Sequence, residues 1–168
     1  NKLLIDIGDS QSIEYELSTY SSRLKNMKVF FEQVDNKSLF LIDELGSGTD
    51  PQLGGALAEA MLEALNQKRS AGIVTTHYMN LKVLAEKVPG FINGSMSFDK
   101  RNLKPLFQLQ IGKPGSSYTF IVAERSGLPQ QIINNARAKV PKTHMLLEKL
   151  LSKVEKDKIV IDEKLKSI

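Results

Sequence analysis

Two adjacent carboxylates, Asp43-Glu44, follow the apolar run Leu39-Phe40-Leu41-Ile42, and they are the residues best placed to do chemistry. Open α/β sheets bind ligands at the carboxyl ends of their strands, where such a run delivers its acids. Successive strand residues point to opposite sides, so the pair can divide its work. One carboxylate can help to hold magnesium while the other polarises an attacking water. That division suits phosphoryl transfer, in which catalysis is mostly positioning and charge neutralisation. A strand end that only caps a turn has the same residues, and on them alone the two readings stand level. The next residues favour chemistry. Gly46-Ser47-Gly48-Thr49-Asp50-Pro51 is a small-residue loop ahead of a helix start, suited to close backbone approach to an anion or to another subunit; a plain tight turn is the bland alternative. Ile73-Val74-Thr75-Thr76 brings a second strand to the same edge and ends it in His77, able to sense or hydrogen-bond a terminal phosphate. A single histidine is more often structural, and His144 has no comparable setting.

Strands alternating with helices must position these residues, the pattern of a largely parallel sheet with covered faces. Lys2 to Ile7 reads as a strand. Ile13 to Val34 reads as an amphipathic helix, with Ile13, Leu17, Leu24, Met27 and Phe31 near helical spacing. Ser38 to Asp43 is expected to be a central strand buried on both faces. Asp50 caps a helix that opens at Pro51 and continues through Leu53 to Asn66. Ala71 to Thr76 is the next strand, and Tyr78 to Lys87 a helix ended near Pro89-Gly90. Gly94 to Phe98 and Leu106 to Ile111 read as paired strands joined through Asp99 to Asn102. Gly112-Lys113-Pro114-Gly115 is a loop, Ser117 to Ser126 a short helix, and Gly127-Leu128-Pro129 a break before a helix that Pro141 interrupts. In the tail Leu147, Leu150, Val154, Ile161 and Ile168 follow a heptad stripe broken by Asp157 and Lys164. That pattern fits a helix docked on a partner, or on other parts of a longer chain, better than a coiled coil.

Composition narrows the classes. A chain of 168 residues holds one domain, or a truncated domain with an appendage. With 41% hydrophobic and 25% charged residues it belongs among ordinary folded proteins. The absence of cysteine excludes disulfides, thiolate zinc sites and cysteine nucleophiles, and fits a reducing cytoplasm. Apolar runs such as Leu39 to Ile42 fall far short of the roughly 20 residues of a membrane-spanning helix, so no membrane partner is expected. Residues 1–136 hold 14 basic and 14 acidic side chains, while 137–168 hold 9 and 5, so the net charge of +4 sits entirely in the tail. A neutral body gives no electrostatic argument for nucleic acid. A chain that opens on Asn1 and runs straight into a strand is expected to begin inside a longer protein.

Leu41-Ile42-Asp43-Glu44-Leu45-Gly46-Ser47-Gly48-Thr49-Asp50-Pro51, then Thr75-Thr76-His77-Tyr78, with Leu17-Ser18-Thr19-Tyr20 upstream, resemble the ATPase motifs of the MutS family. Ile7-Gly8-Asp9-Ser10-Gln11-Ser12-Ile13 and the placing of Asp50 before Pro51 are similar to its second bacterial branch. The resemblance runs from about Leu4 to about Lys139. It implies an α/β fold: part of a P-loop NTPase sheet of the ABC-ATPase type with flanking helices, then a helical dimerisation region and a helical tail. Residues 1–111 would be the C-terminal half of the ATPase domain, 112–140 the dimerisation region and 141–168 a charged tail leading to a connector. The cofactors implied are ATP and magnesium. Asp43 would contact magnesium through water, Glu44 would be the general base, and His77 would face the γ-phosphate. Gln11 would lie near the metal and the attacking water. Ser18 and Thr19 would reach a dimer partner's nucleotide, with the loop Gly46, Ser47, Gly48, Thr49 and Asp50 at the same interface. The intact protein would be a cytoplasmic homodimer acting on branched DNA or stalled ribosomes through other domains.

One departure limits this expectation. A phosphate-binding loop of the form G-x-x-x-x-G-K-[ST] occurs nowhere in the chain, and Gly112-Lys113, the nearest likeness, is followed by Pro114. In the family that loop precedes the segment matching Asn1, so truncation explains it, with a degenerate homologue as the alternative. Half of another ABC-type ATPase competes as a reading, although Ser18-Thr19-Tyr20-Ser21-Ser22 lacks the glycines of such signatures. A non-catalytic dimerisation module is the third reading.

Overall fold

The computed structural model describes residues 2–7, 16–99 and 101–166. In them β1 (Lys2–Asp6), β2 (Ser38–Ile42) and β3 (Ala71–Val74) pair in parallel in that order, which makes β2 central as its apolar run predicts. Helices α1 (Glu16–Gln33) and α2 (Pro51–Gln67) are the crossovers, and α3 (Met79–Lys87) follows β3. The turn into β2 is fixed by Asp35, whose carboxylate accepts from Lys2 Nζ at 2.9 Å, Ser38 Oγ at 2.8 Å and the Lys37 N–H at 2.9 Å. These donors, the Lys2 ammonium first, hold the Asp35 carboxyl well below the usual carboxylate range. Asp50 caps α2 by accepting from the N–H groups of Gln52 and Leu53, and Pro51 opens the helix where its missing N–H costs nothing.

The core lies on one side of the sheet. Met27, Phe30 and Val34 from α1, Phe40 and Ile42 from β2, Ala58, Leu62 and Leu65 from α2, and Leu81 and Leu84 from α3 form one buried cluster. Phe30, rather than Phe31, supplies the buried ring of α1. The expectation that β2 is buried on both faces is corrected. Its other face leaves Leu39 45% exposed, beside Leu3 at 58%, Ile5 at 55% and Ile73 at 64%. Pairing aligns Leu3 with Leu39, and Ile5 with Leu41 and Ile73, so these side chains form one apolar surface. The apolar run arises because β2 is central; the run alone does not say which residues cover each face.

The chain divides into two compact units, Asn1–Phe91 and Ile92–Ile168, so the ribbon after Phe91 groups with the later helices. In the second unit β4 (Gly94–Asp99) and β5 (Lys104–Ile111) are antiparallel, with a register shift between Met96 and Phe98. Asp99 closes the hairpin, accepting from the N–H groups of Arg101 and Asn102. Then come α4 (Thr119–Arg125), α5 (Gln130–Lys139) and α6 (Lys142–Lys166), with Pro141 at the break before α6. Arg137 of α5 binds Glu124 of α4 at 2.7 Å and stacks over Phe120.

Gly72 of β3 lies opposite Phe40, whose ring occupies the space a side chain would take: a Cβ there would fall 2.2 Å from two ring carbons. Gly72→Ala should therefore lower stability by about 1–3 kcal/mol through overpacking. Urea unfolding of the two chains measures this, and equal midpoints would show that the ring yields freely.

Candidate functional site

The sheet ladder continues beyond the strand ends at one edge. The Asp43 N–H donates to the Asp6 carbonyl at 2.9 Å, and the Thr75 N–H donates to the Ile42 carbonyl at 2.9 Å. The carboxyl ends of all three strands are thereby tied together at the edge where α/β sheets bind ligands.

The acid pair lies just past β2 instead of on it, because the strand ends at Ile42. Glu44 adopts φ 48°, a left-handed conformation that costs a residue with a Cβ about 1–2 kcal/mol. This turn, and not strand alternation, separates the two acids. It is held from both sides. The Glu44 N–H donates to Thr75 Oγ1 at 2.9 Å, its carbonyl accepts from the Ser47 N–H at 3.1 Å, and the Leu45 N–H donates to the Thr75 carbonyl at 3.2 Å. Leu45 itself is buried in the core. The Thr75 hydroxyl also donates to Asp43 Oδ1, so one side chain orders both acids. Asp43 is half-buried and Glu44 exposed. Strain maintained by surrounding structure is characteristic of functional turns.

The small-residue loop follows. Gly46 has φ 86°, and a Cβ on it would meet the Gly54 carbonyl oxygen at 2.6 Å, so only glycine lets the loop lie against the first turns of α2. Tyr78, buried, donates its hydroxyl to the Gly46 carbonyl at 2.9 Å. Its ring also carries the exposed His77, at 4.7 Å between centroids. Thus Asp43, Glu44 and Gly46 to Asp50 form one continuous turn and loop, with Asp50 capping α2. Thr75 and Tyr78 fasten that assembly to the segment bearing His77. Ser18 and Thr19 fall in the N-terminal turn of the described part of α1, the helix that follows β1 from the same sheet edge. Gln11 lies outside the described residues.

Sequence reasoning missed three side chains. Thr75 and Tyr78 were read only as parts of a motif. Arg23 was passed over, although it shares the helical stripe of Met27, Phe30 and Val34, where a charge needs an explanation. Its guanidinium pairs with Asp6 at 3.3 Å, donates to Ser47 Oγ at 2.7 Å and donates to the Asp43 carbonyl.

Chemically, the edge offers two carboxylates on an ordered turn, a glycine-containing loop and an imidazole. Magnesium fits this donor set, since it uses one or two protein carboxylates and takes its remaining ligands from phosphate and water. Of the two carboxylates, Asp43 is the one whose side chain Thr75 orients.

Thr75→Val keeps the shape but removes the hydroxyl that serves both acids. It should destabilise the chain by about 0.5–1.5 kcal/mol. Chemical denaturation reads the loss, and full stability in the valine variant would show that the turn holds itself.

A sequence model of the family described as MutS domain V matches residues 1–144. The chain is 45% identical over 166 residues to the endonuclease MutS2 of Lactiplantibacillus plantarum, an alignment covering 98% of this chain and 21% of that protein. It is 44% identical over 154 residues to the endonuclease MutS2 of Thermomicrobium roseum, covering 92% and 19% respectively. For the endonuclease MutS2 of Thermotoga petrophila the identity is 43% over 166 residues, covering 98% and 22%. The chain therefore spans about a fifth of the length of the curated relatives it matches.

Proposed function

We propose a function from one premise: the chain belongs to the MutS domain V family. It is the C-terminal half of an ATPase domain, with a P-loop NTPase sheet of the ABC-ATPase type, in a MutS-type DNA-binding protein. It contributes the hydrolysis machinery, while the loop that grips the phosphates lies elsewhere in the polypeptide. The observation that carries this reading is Thr75, which ties the Asp43-Glu44 turn to the end of β3 and so to His77 at one sheet edge. Structural acids at a strand end need no such shared hydroxyl.

In this reading Asp43 holds magnesium through water and Glu44 orients and deprotonates the attacking water. His77 faces the terminal phosphate, and Gln11 lies near the metal and that water. Magnesium, when bound with ATP, neutralises charge that develops on the phosphate oxygens. The exposure of Glu44 and His77 leaves both side chains accessible from the sheet edge. Gly46, Ser47, Gly48, Thr49 and Asp50, with Ser18 and Thr19, face the nucleotide of a second subunit. Residues 1–111 belong to the ATPase domain, 112–140 to the dimerisation region and 141–168 to the tail leading to a connector. The intact protein is a cytoplasmic homodimer that couples ATP turnover to branched DNA or stalled ribosomes through its other domains. Among the described residues no helix is long and apolar enough to cross a membrane.

The test uses the full-length protein that carries this segment. Glu44→Gln keeps the shape but loses the basicity, so ATP turnover should fall about a hundredfold or more while ATP affinity is retained; unchanged turnover removes Glu44 from the mechanism. In parallel, calorimetry on the 168-residue chain should show no ATP binding. Stoichiometric, magnesium-dependent binding there would contradict a phosphate grip located elsewhere.

A further inference from the structure

Arg23 is used by none of the roles above, yet its guanidinium makes three separate contacts at the sheet edge. It projects from α1 and is 20% exposed, against a partner, Asp6, that is 19% exposed. Nε pairs with Asp6 Oδ2 at 3.3 Å at the end of β1, Nη1 donates to Ser47 Oγ at 2.7 Å in the loop, and Nη2 donates to the carbonyl of Asp43 beyond β2. Three segments far apart in sequence meet on one rigid planar fork. Lysine, a point donor on a flexible stem, cannot reproduce such a geometry. A helix start, an acid turn and a loop would each fold without this connection, so the arginine adds a mechanical link between them.

We infer that Arg23 is a positioning residue that couples the Ser18-Thr19 end of α1 to the Asp43-Glu44 turn and the Ser47 loop. The inference rests on the proposed ATPase reading, in which the acids serve the subunit's own nucleotide while Ser18, Thr19 and the loop serve the partner's. Arg23 lies five residues after Ser18, roughly 7 Å along a rigid helix axis. A displacement of the loop or the turn is therefore passed to the helix end, and the reverse. Asp6 balances the arginine's charge. The contact to Asp43 uses its backbone carbonyl, so the carboxylate keeps its negative charge for a cation. Tyr78 holds the loop from its other side through the Gly46 carbonyl, so the arginine selects among loop positions near Ser47 without having to hold the whole loop.

The experiment compares Arg23→Lys, Arg23→Gln and Ser47→Ala in the full-length protein, with Glu44→Gln as the control for the reading itself. Small misplacements of positioned groups cost up to about 100-fold in rate. Both Arg23 variants should lower kcat for ATP by about 10- to 100-fold while KM stays within about twofold, which a general loss of folded protein does not produce. Hydrogen exchange should rise in a peptide covering residues 44–50 and stay constant in one covering 38–42. Ser47→Ala cuts one arm of the fork, leaves Asp6 paired, and should show the same pattern more weakly. Normal kcat and normal loop exchange in the lysine and glutamine variants, with turnover abolished by Glu44→Gln, overturn the inference and leave the ATPase reading intact. If Glu44→Gln changes nothing, the reading fails, and loop exchange alone then decides whether Arg23 positions the turn. Should the Arg23 variants fail to fold, an unaltered kcat and unaltered loop exchange in Ser47→Ala overturn the coupling.

Discussion

Everything at the candidate site depends on β2 being hydrogen-bonded along both of its sides. A parallel strand held between two others has no freedom to slide, because a slip of one residue would turn Phe40 and Ile42 out of the core. The ladder then runs one step beyond the strand on each side, through Asp43 to Asp6 and through Ile42 to Thr75. The place where the chain leaves the sheet is thus fixed by backbone bonds before any polar side chain acts. Glu44 can occupy a left-handed conformation there because its neighbours are immobile: Leu45 is anchored in the core and Thr75 is anchored in the ladder.

Polar side chains then do what the ladder cannot, which is to fix the loop after the turn. Backbone bonds end near Ser47, and Gly46 and Gly48 both have positive φ, so the loop has little intrinsic rigidity. Tyr78 holds it at Gly46 and Arg23 at Ser47, one from the segment after β3 and one from the helix before β2. Each tether arises from an element that is also packed into the core, through Tyr78 itself and through Met27 and Phe30 of α1. Loop position is therefore inherited from the core through side chains that are themselves largely buried.

How much of this was legible in the sequence follows from the range of the interactions. The Asp50-Pro51 helix start, the hairpin turn at Asp99 and the break at Pro141 rest on contacts within a few residues, and the centrality of β2 is marked by its own apolar run, so these were readable. Arg23, Thr75 and Tyr78 act across 17 or more residues in sequence, and nothing local marks them except a charge on an apolar helical stripe. The choice between Phe30 and Phe31 shows the same limit, since both fit helical spacing and only the tertiary packing against Phe40 separates them. The strand alternation invoked for Asp43 and Glu44 did not apply, because the strand ends at Ile42, one residue short of the expected Ser38 to Asp43. A backbone turn at Glu44 takes the place of alternation there.

The exposed sheet face departs from what the apolar strands lead one to expect. A parallel strand reads as continuously apolar when both of its faces are normally covered. In this chain the α1, α2 and α3 side is filled, while Leu3, Ile5, Leu39 and Ile73 stand open on the other. At roughly half exposure, each such side chain forgoes about 1 kcal/mol of burial. A sequence under no other constraint would place polar residues at those positions, as half-exposed strands do. Four apolar side chains side by side on one face instead mark a surface suited to being covered by other protein.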